Sequence, residues 1–161
     1  MHSTRKTTSH FTRTSISLLL LVSRLSGSPE TPPGQYDGKR LFGNYCAACH
    51  QGDGSGTEDG PPPLEYSPWI KGPKQHPIRI VLDGLHGPII VNDKLYNLEM
   101  PGFGAILSDS QLSSILTYAR QAFGRQDDEI TAQEVAKYRS ESADRKRYWT
   151  ASELLVAPEF P

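Results

Sequence analysis

Cysteine is nearly absent from this chain: Cys46 and Cys49 are the only two among 161 residues. A four-cysteine zinc site is therefore out of reach, and once both thiols are engaged elsewhere none is left for a disulfide. Methionine is as scarce, since Met1 aside, Met100 stands alone. Internal repeats are missing, and the cysteine motif occurs once. Net charge is slight, −1 at neutral pH. The acids after His50 (Asp53, Glu58, Asp59) lack the spacing of an EF-hand loop, which excludes calcium binding of that kind. The length fits one domain with extensions.

What is present centres on Cys46-Ala47-Ala48-Cys49-His50. A C-x-x-C-H pentapeptide is the attachment signature of c-type haem. Two thiols add across the two vinyl groups of one porphyrin, so they must lie about one helical turn apart on one edge of the ring. The adjoining histidine is then placed under the iron as the proximal ligand. A chance pair or a thioredoxin-like redox pair is the rival reading. The added histidine and the lack of a βαβ pattern around it favour haem, and the single motif predicts one covalent haem c. The 14 glycines and 13 prolines suit a loop-rich chain closed around such a group, without demanding it.

Residues 1–28 read as a secretory signal peptide. Arg5, Lys6 and Arg13 precede a short apolar run, Ile16 to Val22, and small residues follow at Ser23, Ser26, Gly27 and Ser28. That run is far shorter than the roughly 20 residues a membrane span needs. Arg24 interrupts the pattern and no A-x-A site is visible. The expected location is periplasmic or secreted, with the leader cleaved or kept as a tether. Without residues 1–28, 13 Lys and Arg face 18 Asp and Glu, a formal charge of −5. An acidic carrier of this kind excludes nucleic acid as a partner and suits a protein with a basic docking face.

A proline-rich linker occupies 29–36, and the domain is expected over 37–124. Asp37 caps a first helix running into the haem motif, with Gly38 and Phe42 on one face. Glycines after His50 let a loop wrap closely against a flat ligand. A second helix is predicted from Pro77 to Leu85, stopped by Gly87. Ile89 to Tyr96, broken at Asn92-Asp93, is a possible short hairpin.

Met100 follows in a loop pinned by Pro101 and Gly102. A thioether is a soft, neutral ligand for haem iron, and Met100 is expected to be the second axial ligand rather than core filling. His76 and His86, at the edges of the middle helix, are rivals read as surface or propionate-side residues. Ser108 to Gln111 is a capping box opening the strongest helix, whose Ile115 and Tyr118 can meet the Gly38/Phe42 face. Beyond Gly124 the chain turns polar. Capping boxes at Thr131 and Thr150 open two short helices in a 125–161 extension, expected to be solvated and packed on the domain, or half-ordered. A partner-docking arm is the alternative.

The stretch 38–124 resembles a class I cytochrome c. The resemblance rests on Gly38-x-x-Leu41-Phe42-x-x-Tyr45-Cys46-x-x-Cys49-His50, on Met100-Pro101 and on Ile115-x-x-Tyr118. The middle segment, from Pro63-Leu64 through Trp69 to Leu85-His86-Gly87-Pro88, resembles single-haem modules that accompany bacterial periplasmic dehydrogenases, quinoprotein-type ones included. Tyr96-Asn97-x-x-Met100-Pro101-Gly102-Phe103 and the run from Trp149 to Leu154 do so too. The resemblance implies an all-α fold wrapped around one haem, with methionine as sixth ligand and Trp69 and Arg79 on the propionate side. It implies electron transfer from a dehydrogenase to an oxidase or another cytochrome, with no small-molecule substrate. A peroxidase-like haem enzyme, or a gas or redox sensor with a labile Met100, stays open as the alternative.

Overall fold

The computed structural model describes residues 36–158, with His2 apart from them. The stretch 1–28 expected to be a signal peptide, His2 aside, and the expected linker up to residue 35 lie outside the described residues. Within them the fold is helical, as expected, with one two-stranded hairpin.

Helix α1 (Gly38–Tyr45) starts where the Asp37 carboxylate accepts from the Arg40 N–H at 3.0 Å. It breaks at Cys46 and resumes as the single turn α2 (Ala47–His50), so the cysteine motif is carried at the end of a helix. Helix α5 (Asp109–Ala119) opens with the Ser108/Gln111 capping box and continues as a π-helical turn, Arg120–Gly124. Arg125, at φ +56, ends it.

Helices α1 and α5 cross at Gly38. A Cβ there would lie 2.2 Å from the Ser114 carbonyl oxygen, so only glycine permits this approach. Phe42 then sets its ring 5.5 Å from Tyr118 and 5.2 Å from Phe123. Leu41, Phe42, Leu112, Ile115 and Leu116 are buried at the crossing and begin the main core.

Short helix α3 (Pro68–Lys71) leads to α4 (Gln75–Asp83). Helix α4 starts two residues earlier than the sequence pattern indicates. Pro77 occupies the third helical position, where a missing N–H costs nothing. The helix also ends earlier, at Gly84 (φ +86) rather than Gly87. Gly84, with positive φ and extended ψ, breaks the helix and redirects the chain, so Leu85 leaves the helix and pairs with Met100. Strands β1 (Pro88–Val91) and β2 (Lys94–Asn97) pair antiparallel, Ile89 opposite Tyr96. Asn92 and Asp93 both take positive φ, the geometry of a two-residue hairpin turn.

The C-terminal extension forms α6 (Ala132–Glu141) and α7 (Ala151–Val156), each opened by its capping box. It packs on the domain and supplies core of its own. Ile130 and Val135 are fully buried in the main cluster, and Leu154 in a second cluster with Ile80, Leu85, Ile89 and Val91. Arg120 stitches the join. Its buried guanidinium donates to the Ile70 and Gly72 carbonyls at 2.6 and 2.9 Å and to Asp128 at 2.9 Å.

Gly38→Ala is expected to remove about 1–3 kcal/mol of unfolding free energy, the usual cost of overpacking. Gly43→Ala, in the same helix with nothing within 4 Å of its Cβ position, should lose none. Denaturant unfolding compares the two, and equal behaviour would refute the crossing as described.

Candidate functional site

The crossing of α1 and α5 leaves a cleft on the side where the cysteine motif emerges. Its inner half is walled by Cys46, His50, Leu64, Ile80, Val81, Met100 and the α5 residues Ile115 and Leu116. Its outer half, about 290 Å³, adds Cys49, Pro61, Tyr96 and Leu98. His50, Pro62, Leu85, Ile89 and Met100 line both halves, which are therefore one continuous space. The walls are overwhelmingly apolar. A larger and more polar cavity, about 450 Å³, lies beyond the Met100 loop against Asp83, Gly102, Arg139 and Arg145. It contains no cysteine, histidine or methionine, so the chemistry of the motif is confined to the first cleft.

His50 is fixed from behind. Its Nδ1 lies 3.0 Å from the Pro62 carbonyl oxygen. A carbonyl can only accept, so Nδ1 carries the proton and Nε2 keeps a lone pair available to a metal. Burial pulls the imidazole below the ordinary histidine range, and the Pro62 carbonyl offsets this only in part. The neutral, ligating form is thereby favoured.

Two glycines bring Pro62 into position. Gly54 (φ +74) and Gly56 (φ +67) fold the loop back, with the Gly56 N–H donating to His50 O and the Leu64 N–H to Gly54 O. A Cβ on Gly54 would strike the Phe123 ring at 2.6 Å, and one on Gly56 the Pro61 carbonyl oxygen at 2.5 Å. These glycines close the loop on Phe123 and on its own proline run.

Cys46 sits half-buried on the inner wall and Cys49 exposed on the outer one. Burial pushes the Cys46 thiol up to about 11, and the neighbouring Cys49 adds to the effect.

Met100 is held through its backbone. Its N–H donates to Leu85 O and its carbonyl accepts from the Leu85 N–H, both at 2.9 Å. Just beyond it, the Phe103 and Gly104 N–H groups donate to Val81 O and Leu82 O, carbonyls that the end of α4 would otherwise leave without partners. The loop is therefore anchored at the methionine and again just beyond it.

The remaining predicted residues divide. Trp69 lines the inner cleft, with its indole N–H donating to Ile90 O at 2.9 Å. Arg79 does not line the cleft. Its buried guanidinium donates to Gln75 Oε1 at 2.7 Å and lies over the Tyr138 and Trp149 rings, facing the C-terminal extension. Of the two readings of His76, surface or propionate-side, the first is corrected: it is buried, 5.4 Å from the Trp69 ring. His86, half-buried near Tyr148, also lies outside the cleft. Sequence reasoning missed the Pro62 carbonyl and the Leu85 backbone, for which no side-chain pattern exists. Among the described residues no cluster of three or more His, Cys, Asp or Glu offers a competing metal site.

The donor set fits a covalently attached haem: two thiols at the edge of a flat apolar cleft, an imidazole with its Nε2 free, and a thioether lining the same space. The comparisons agree. The family described as cytochrome c matches residues 36–123. Cytochrome c-552 of Thermus thermophilus is 33% identical over 115 residues, covering 66% of this chain and 86% of that protein. The fructose dehydrogenase cytochrome subunit of Gluconobacter japonicus is 30% identical over 109 residues, 65% of this chain and 22% of the subunit. The cytochrome c subunit of the quinone alcohol dehydrogenase of Gluconacetobacter polyoxogenes is 28% identical over 121 residues, 73% and 25% respectively. The chain thus spans about a quarter or less of the length of these dehydrogenase subunits.

Protein matured in a host competent for c-haem attachment should keep its haem through acidified-solvent extraction. The variant carrying both Cys46→Ala and Cys49→Ala should release it, and haem retained by that variant would rule out the thioether anchors.

Proposed function

The chain belongs to the cytochrome c family, and from that premise we propose a periplasmic or secreted one-electron carrier in which His50 and Met100 are the two axial ligands and Cys46 and Cys49 the thioether anchors. Covalent haem c and electron transfer come with the family, and no catalytic residue is required. The bound haem supplies a single reversible electron at its iron. Everything else is done by the chain.

His50, held by the Pro62 carbonyl, keeps one tautomer and one ring orientation. The apolar walls exclude water and keep the surroundings of the iron alike in both oxidation states. The observation that carries the reading is the pair of backbone bonds between Met100 and Leu85, which hold the thioether's segment in the cleft that His50 lines. A loop tied at Met100 and again at Phe103 and Gly104 supports a carrier over a sensor, whose sixth ligand must leave readily. Exposed Cys49 at the outer half supports electron entry at that edge.

A dehydrogenase as donor is supported by the dehydrogenase subunits among the relatives, and an oxidase or another cytochrome is proposed as the acceptor. The basic, then apolar segment at 1–28 supports export, and among the described residues no helix is long and apolar enough to cross a membrane.

The optical spectrum tests the ligand set. The wild type should be low-spin with a weak red sulfur-to-iron band, and its reduced form should bind carbon monoxide slowly. Met100→Ala should lose the band, lower the reduction potential and bind carbon monoxide at once. A high-spin wild type that binds carbon monoxide immediately would overturn the proposal.

A further inference from the structure

The short extended segment Gly84-Leu85-His86 is bonded on both edges, Leu85 itself on one and its two neighbours on the other. One edge pairs with Met100 through the two 2.9 Å hydrogen bonds described above. The other edge is flanked by Trp149, from the C-terminal extension. The Trp149 N–H donates to Gly84 O at 3.0 Å, and the His86 N–H donates to Trp149 O at 2.9 Å. Met100, Leu85 and Trp149 form a three-rung ladder in which the middle rung touches both others. Trp149 lies well beyond residue 123, where the family match stops.

We propose that the Trp149 segment is a clasp that positions Met100, so that the C-terminal extension controls how readily the sixth ligand leaves the cleft. This rests on the reading of Met100 as that ligand. Three further contacts support it. The Trp149 indole N–H donates to Asp83 Oδ2 at 2.9 Å, at the last residue of α4. The Arg145 guanidinium stacks 3.5 Å from the Trp149 ring and pairs with Glu153 at 2.9 Å, which fixes the indole from the outside. Gly84 is pressed by both neighbours: a Cβ there would meet Met100 O at 2.6 Å and the Tyr148 ring at 2.8 Å. Trp149 and Met100 also pack against the same apolar cluster around Ile80 and Leu85.

The energetic argument concerns local opening. For the thioether to leave, the Met100 strand must part from Leu85 or carry Leu85 with it. The second route is closed while Trp149 holds the far edge. Loosening Trp149 reopens it and raises the fraction of molecules with an open sixth position. An external ligand then binds more tightly by the same factor, because its apparent affinity scales with that open fraction.

The probe is imidazole titrated into the oxidised, full-length holoprotein, with amide exchange at Leu85 and Met100 as a readout independent of the iron. Trp149→Phe and Asp83→Ala each remove the indole–carboxylate bond while leaving most of the packing. Each is expected to tighten imidazole binding about fivefold and to speed exchange at both amides by a similar factor. Trp149→Ala, where it folds, should go further. Val135→Ala destabilises the same extension through the other core cluster and should leave both readouts within about twofold of wild type.

Unchanged imidazole affinity in Trp149→Phe and Asp83→Ala, or an equal shift in Val135→Ala, would overturn the clasp. Met100→Ala separates the two readings. If it leaves imidazole affinity unaltered, Met100 is not the ligand and both proposals fail. If it raises affinity strongly while the milder variants do nothing, the clasp alone fails.

Discussion

The contact on which the rest of this structure depends is the crossing of α1 and α5 at Gly38. It is a steric constraint before it is an attraction, because the Ser114 carbonyl occupies the place of a side chain. Once the backbones are that close, Phe42, Tyr118 and Phe123 interlock. Helix α1 then delivers Cys46 and His50 against the Ile115 and Leu116 face of α5. The attachment motif is read locally in the chain, but it acquires an inner wall only through this long-range contact.

The opposite side of the cleft is organised by how α4 stops. A helix end leaves carbonyls without partners, and here the Met100 loop supplies N–H groups to two of them. Gly84 turns the chain sharply enough for Leu85 to become a short strand between Met100 and Trp149. Two problems, an uncapped helix and a loop that must be held still, are solved by one set of hydrogen bonds. The C-terminal extension joins the same arrangement, so the family domain and its appendage share a core and a ladder.

Much of this was legible in the residues. The cysteine motif, the glycine and aromatic of α1, all three capping boxes and the hairpin turn act through local chemistry that spacing reveals. Other features were invisible because their causes lie far along the chain. The early end of α4 is set by pairing with Met100, not by its apolar stripe, which runs on to Leu85. His76 is polar and sits at a helix end, yet Trp69 covers it. Arg79 looked available to an anion, but Gln75, Glu141 and two aromatic rings enclose it from the extension side. The extension reads as polar because charges dominate its composition, although Ile130, Val135 and Leu154 are fully buried.

The two cysteines of the motif meet their surroundings unequally. Burial pushes the Cys46 thiol up to about 11, and Cys46 packs against the α1–α5 core, whereas Cys49 stands exposed on the outer half of the cleft. One helical turn thus reaches from the wall of the core to the protein surface, so the two edges of anything held between these thiols would sit in different media.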